Sequence, residues 1–510
     1  MLVHARHARR TRHTGGPWTC EEQGEDGGAT DQAHDQRDDE WILGDLNLRH
    51  GLSRRIATNN IRSVAQAQDH ESPSELPDGL RHGPFALRAR LLTPLPDGST
   101  RFISDALLEV DNAGRIARAE NWPATGRADA IDMRPLLVMP GLVDLHAHLP
   151  QWPNAGLGAG LDLLTWLDRY VFPLEREFHA DAARRLAPLF YRALAAAGTT
   201  TAVLYGAVYE DSVDAAFGAA EEHGIRLVLG KVMMDRLRYD SSLPDSEVLD
   251  ESLAQTQRLI ERWHGRDDGR LQYAVTPRFA VSCTADMLRE SASLARATGA
   301  YWQTHLAEDR LEIDEVTRLF PEALDYTDVY DRAGALGPRT IVAHAVHLSD
   351  RELARLAETR TRIAHCPSSN LFLSSGAMPL GRYLAAGMTI GLGSDVAGGP
   401  DVSIFGEMRA GAYTMSGRST MLGDSSTRLR PLDWLRLGTL DGARVLGIED
   451  RIGSLEPGKE ADFICIDPHA TAPIPSSTVS DADETASRLI FRTRPQMVRG
   501  AWVRGRRLAA

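Results

Sequence analysis

Apolar and polar positions follow three patterns along the 510-residue chain. Residues 1–83 show no periodicity: an Arg- and His-rich start, Met1 to His13, gives way to polar stretches such as Glu21-Glu-Gln-Gly-Glu-Asp-Gly-Gly28. Such a segment buries too little apolar surface to offset its ordering entropy, so it reads as a disordered extension or as a start placed too far upstream. From Phe85 short runs of β character appear, Ala86-Leu-Arg-Ala-Arg-Leu-Leu92 and Asp105-Ala-Leu-Leu-Glu-Val110, the second followed by the turn Asp111-Asn-Ala-Gly114. Comparable runs return only after Arg451. Between the two regions, helical periodicity alternates with eight short apolar runs, ending near residues 143–148, 200–204, 227–233, 273–279, 302–308, 341–347, 363–368 and 390–395. Strands alternating with crossover helices make a parallel sheet, and eight such units predict an α/β fold, a TIM-type (β/α)8 barrel over 139–450. The flanking segments 84–138 and 451–510 are expected to meet as one small β-sandwich domain.

Composition narrows the function. The chain is 43% hydrophobic, enough for a large core, and its net charge of -13 argues against a nucleic-acid or anionic-membrane surface. Four widely spaced cysteines, Cys20, Cys283, Cys366 and Cys465, form no Cys-x-x-Cys, which suits a reducing cytoplasm. No apolar run approaches membrane-spanning length.

In a barrel of this type chemistry belongs at the C-terminal strand ends, and reactive residues gather there. The first run ends in Pro140-Gly-Leu-Val-Asp-Leu-His-Ala-His148, which puts His146 and His148 on one face of a strand. The fifth ends in His305 and Glu308, the sixth in His344, the eighth in Asp395. His146, His148, His305 and Asp395 are the expected ligands of one borderline divalent ion, Zn²⁺ or Fe²⁺, with a position left for water. A water so activated hydrolyses an electrophilic carbon. Glu308, three residues past His305, is the expected general acid/base, and His344 the group that orients the water. The fourth run ends in Thr276-Pro-Arg-Phe279, with no lysine to bridge a second ion, and Lys231 on the third run reads as structural.

Several motifs together resemble the amidohydrolase superfamily, and within it the guanine deaminases: the first-strand motif continued to Leu149-Pro-Gln151, Val275-Thr-Pro-Arg-Phe279, Thr304-His-Leu-Ala-Glu308, His365-Cys-Pro-Ser-Ser-Asn370 and Gly391-Leu-Gly-Ser-Asp-Val-Ala-Gly-Gly399. The resemblance covers residues 140–467. It implies a single zinc on His146, His148, His305 and Asp395, and a purine as the small-molecule substrate, held by Gln151 and Arg278 at its polar edge and by Phe279 on its face. His305 and Glu308 would also face the base, and Trp166 could close the pocket. It further implies attack of metal-activated water at C2, with Glu308 and Asp395 handling protons, and a homodimer.

Rival signals are weaker. Gly453-Ser-Leu-Glu-Pro-Gly-Lys459 nearly spells a phosphate loop, but Glu460 stands where Ser or Thr should hold magnesium. Gly156, Gly158 and Gly160 lack dinucleotide-fingerprint spacing and read as a loop near the site. There is no Gly-x-Ser-x-Gly elbow and no Pro-Cys-x-x-Cys, and Cys283 and Cys366 are expected to be buried. The nearer alternative is a sister hydrolase acting on 8-oxoguanine, a pterin or an s-triazine; the more distant is a non-catalytic scaffold, which should have lost ligands that this chain retains.

Overall fold

The computed structural model describes residues 76–424, 428–473 and 481–510. The reading of the polar N-terminal stretch falls outside them up to residue 75.

Four strands precede the barrel: β1 (Phe85–Pro94), β2 (Thr100–Val110), β3 (Ile116–Asn121) and β4 (Ile131–Pro140). Eight parallel strands then follow in chain order, with a short accessory strand beside them: β5 (Leu142–His148), β6 (Thr199–Tyr205), β7 (Arg226–Gly230), the accessory β8 (Val232–Met233), β9 (Leu271–Pro277), β10 (Tyr301–Leu306), β11 (Thr340–His344), β12 (Arg362–His365) and β13 (Ile390–Leu392). Every residue of β5, β6 and β7 is buried, as expected of parallel strands covered on both faces. The barrel closes between its first and last strands through backbone bonds from Asp395 N to His146 O (2.7 Å) and from His148 N to Val396 O (2.9 Å). All eight sequence-predicted runs are strands. Several of the predicted ends overshoot, because Phe279, Glu308, His347 and Asp395 lie in the loops that follow the strands.

The flanking segments form one continuous seven-stranded sheet with β14 (Phe463–Ile466), β15 (Val498–Val503) and β16 (Arg506–Arg507), in the order β16-β15-β14-β4-β1-β2-β3. β1 shifts register at Arg90 against both neighbours, a bulge that bends the sheet around its own core. In that core Phe463 stacks on Trp502 with centroids 4.6 Å apart. Residues 76–83, placed by composition in the polar extension, instead pack here: Leu80 is buried and its carbonyl accepts from Trp502 Nε1 at 2.7 Å. The C-terminal segment, expected to be β throughout, also contains a helix, Ala482–Phe491. It is capped by Asp481 and turns Ala486, Leu489 and Ile490 inward. Its apolar spacing of three and four residues is helical, and it packs on the helix Pro431–Leu437. Among the described residues, no helix is long and apolar enough to cross a membrane.

A buried ion cluster ties the barrel to the sheet. Arg226, on β7, donates to Glu460 at 2.5 Å and Asp462 at 2.9 Å, and Arg451 and Arg504 also donate to Glu460. This explains the glutamate that spoils the phosphate-loop pattern. Lys459 beside it is likewise engaged, with its ammonium on Glu449 O and Ser454 Oγ. Burial alone would raise the Glu460 carboxyl, but Arg226, Arg504 and Arg451 outweigh it and hold it at about 2, below its ordinary 4.5. A carboxylate depressed in this way stabilises the fold above its unfolded value and loses that contribution as pH falls. Glu460→Gln should therefore cost roughly 3 kcal/mol or more at pH 7 in denaturant unfolding. Its deficit relative to the parent chain should shrink between pH 4.5 and about 2.

Candidate active site

The strand exits bring the predicted residues to one buried point. His148 Nε2 lies 3.3 Å from His146 Nε2, 3.2 Å from His305 Nε2 and 3.3 Å from Asp395 Oδ1, while His146 Nε2 lies 3.0 Å from the same Oδ1. Three imidazoles cannot satisfy one another at such distances, since a neutral ring has only one N–H to give. The spacings instead match the edge of a tetrahedron of donors about 2.0–2.1 Å from a common centre, about 3.3 Å. Burial pushes all three imidazoles below their ordinary value, His148 to about 4, so they are neutral and fit to ligate at pH 7. His305 Nδ1 bonds the Arg278 carbonyl at 2.7 Å, which turns its Nε2 lone pair toward the centre. The donor set fits one divalent ion.

His344 approaches from the carboxylate side, with Nε2 3.3 Å from Glu308 Oε2 and 3.8 Å from Asp395 Oδ2. It too falls within the cluster, where one donor atom each from His146, His305, His344 and Asp395 lies within 4.8 Å of the others. Its Nδ1 bonds Asn370 Oδ1 at 2.9 Å. Asp395 accepts from Ser369 Oγ at 2.6 Å. Burial opposes its charge, but His146 and His148 outweigh that and hold it well below the usual carboxylate range. Glu308 goes the other way: burial, then the nearby charge of Asp395, raises it well above its ordinary value. Two carboxylates in one site with opposite shifts can divide acid and base roles between them.

Local structure explains these positions. Asp309 and Glu312 form a capping box at the start of the helix Arg310–Leu319, and Glu312 Oε2 accepts from Glu308 N at 2.9 Å, so the cap itself places Glu308 over the mouth. Ala307, His344, Ala345 and Asp395 all have positive φ, strained conformations clustered at the exits of three strands. Gly398 is required beside them: a Cβ there would lie 2.7 Å from Asp395 Oδ2.

Next to the metal-fit cluster is a narrow cavity lined by Gln151, Leu163, Trp166, Leu167, Arg278 and Phe279, together with His148, His305, Glu308, Leu373 and Asp395. Every sequence-predicted site residue thus lies in the cluster or the cavity. Trp166 is buried against the glycine loop, donating from Nε1 to Leu157 O at 3.0 Å. Cys283 and Cys366 are buried, and burial pushes the Cys283 thiol up to about 12.

Two participants have no signal in the sequence. Glu175, fully buried on the short helix Phe172–Arg176, accepts from Gln151 Nε2 (2.8 Å) with one oxygen and from Arg278 Nη1 (2.5 Å) with the other. It therefore pins the Gln151 amide so that Oε1, buried and unpaired, is left toward the cavity. Tyr205, the last residue of β6, packs its ring 4.7–4.9 Å from those of His146, His148 and His305. A glutamate in Pro173-Leu-Glu-Arg176 reads as solvated, and only the fold shows what it faces.

Comparison with known proteins agrees with this arrangement. The profile of the Amidohydrolase family matches residues 137–508. The chain is 40% identical over 388 residues to the "Probable guanine deaminase" of Deinococcus radiodurans, covering 74% of this chain and 85% of that one. To the guanine deaminase of Escherichia coli it is 38% identical over 380 residues, 73% of this chain and 83% of that one. The solved structure of E. coli guanine deaminase superposes with a TM-score of 0.76 at 34% identity, over 83% of this chain and 99% of that one. That of C. acetobutylicum guanine deaminase, with guanine in its active site, gives 0.76 at 28% identity, over 83% and 99%. With a family profile spanning most of the chain and relatives this similar over most of their own length, the chain belongs to the amidohydrolase family, among its guanine deaminases.

Proposed function

We propose that the chain hydrolyses guanine to xanthine and ammonia, with one zinc ion held by His146, His148, His305 and Asp395. The observation that carries the substrate is the clamp at Glu175. It leaves an amide oxygen, Gln151 Oε1, beside the fixed, charged fork of Arg278. An acceptor next to a cationic donor complements a ring N–H beside a carbonyl, the edge of a 6-oxopurine. A 6-aminopurine presents the reverse pattern and would leave both groups unpaired. Phe279 and Trp166 supply aromatic surface in the same cavity, as a planar base needs.

When bound, zinc supplies a water activated for attack at neutral pH. Glu308, made more basic by burial and by the charge of Asp395, is placed to accept a proton and would deliver it to ring N3. His344, its Nδ1 engaged by Asn370, faces Glu308 and the same space with its free nitrogen and orients the water. The remaining hydroxyl proton on C2 would then pass by way of Asp395 and Glu308 to the amino group, so that C2=O forms as the C–N bond breaks and ammonia leaves. The side chains that line the cavity are themselves buried, which strengthens each of these electrostatic contacts.

Four measurements test the reading. Chelated protein reloaded with zinc should hold one ion per chain by elemental analysis, and His146→Ala or His305→Ala should reduce this to background. Glu308→Gln should keep its metal but lose about 10²- to 10⁴-fold in kcat on guanine, and near-normal turnover would overturn its proton role. Glu175→Gln, which leaves one of the two clamped groups without its partner, should raise KM for guanine about tenfold with metal content unchanged. With the zinc-loaded parent chain, ammonia release from guanine should exceed that from adenine, 8-oxoguanine, pterin and an s-triazine. Zinc-loaded protein inert on guanine but active on another ring would keep the barrel and the ion while removing the roles of Gln151, Arg278 and Phe279.

A further inference from the structure

The chain contains two lysines, Lys231 and Lys459, within a Lys and Arg total of 57. Arginine is its default cation. What a lysine can do that an arginine cannot is shed its proton and offer a lone pair. Lys459 has a visible structural reason to be there, since its ammonium bonds Glu449 O and Ser454 Oγ and lies 3.2 Å from Glu456. Lys231 does not. It is 2% exposed, and Nζ makes one side-chain hydrogen bond, to Ser252 Oγ at 3.0 Å. The nearby carboxylates Glu210 and Glu251 are both engaged by Arg258. Burial pulls the amine down to about 8, so a useful fraction is neutral near physiological pH.

Lys231 also has room to act. It is the first residue past β7, a strand-end position of the kind where barrels carry chemistry. It lines a cavity of about 740 Å³ between the helices Glu210–His223 and Asp245–Trp263, large enough for a small organic ligand. Val208, Leu243, Val248 and Leu259 give it an apolar patch, while Glu210, Glu251 and Arg258 are among the charged groups that line the rest. This is not the metal pocket: the two cavities share no lining residue.

We propose that Lys231 is the reactive amine of a second site, which holds a small aldehyde with an apolar body as an imine on Nζ. The neutral Nζ lone pair forms a C–N bond to the carbonyl carbon, and the carbonyl π pair moves to oxygen, which is protonated. The carbinolamine then expels that oxygen as water while nitrogen gives up its remaining protons and forms C=N. Amine and aldehyde yield imine and water, with no oxidant or reductant needed.

The test uses the full, metal-loaded chain with benzaldehyde at pH 7.5, trapping the imine with cyanoborohydride as hydride donor and locating benzyl groups by peptide mass spectrometry. Lys231 should be labelled at least about tenfold faster than N-acetyl-lysine amide in the same solution, as its depressed basicity requires, and Lys459 should lag. Val248→Trp, which puts an indole in the cavity one helical turn from Ser252, the partner of Nζ, should suppress the label while zinc content and guanine turnover persist. Absence of label on Lys231 in the parent chain, or labelling no faster than the free lysine, overturns the proposal. Failure of guanine turnover in the parent chain would bear on the metal-site reading alone.

Discussion

Asp144 holds the barrel shut at the point where the candidate chemistry sits. Its carboxylate, buried on β5, accepts from Ser394 N (2.9 Å) and Ser394 Oγ (2.6 Å), just past the last barrel strand, and from His146 N (3.2 Å). Burial raises this carboxyl to about 7, and those donors are what oppose the shift. The seam they close places His146, His148 and Asp395 against one another. Gly393 belongs to the same packing, for a Cβ there would lie 2.7 Å from His146 Cβ. The distances at the site therefore depend on barrel closure: the first and eighth strands are 250 residues apart in sequence at this bond and bring their donor atoms within about 3 Å.

Burial then decides the charge states. The three imidazoles are driven neutral because a dry site disfavours their cations, and Glu308 is driven toward the protonated form for the same reason. Asp395 escapes because the histidines it faces stabilise its anion. One low-dielectric pocket thus makes neutral nitrogen donors, an oxygen anion and a carboxyl shifted toward its protonated form. Arg278 shows the same balance at the other end, where Glu175 outweighs burial and keeps the guanidinium charged.

Support for the site reaches far from it. The capping box that positions Glu308 is itself held by Tyr326, whose hydroxyl donates to Glu312 at 2.7 Å. Asn370 and Ser369, from one turn after β12, bond His344 and Asp395 respectively. These partners carry no chemistry of their own. They restrict rotamers and tautomers, without which the donors would not converge.

What the sequence determined by itself is whatever rests on spacing within one element. Short apolar runs alternating with helical periodicity set the eight strands and their order. The His146-x-His148 pair, the three-residue step from His305 to Glu308 and the strand-end position of Asp395 were legible because each is a local register. The helix Ala482–Phe491 and the packed turn at residues 78–80 were missed, their signals being short and set among polar residues. The tertiary structure alone decided which side chains meet across the chain: Glu175 with Gln151 and Arg278, Tyr205 with three imidazoles, Arg226 with Glu460, and Lys231 with a cavity between two helices. A carboxylate or an amine has the same letter whether it faces water or a dry pocket. Its partner and its pKa come from residues tens to hundreds of positions away, brought near only when the barrel closes.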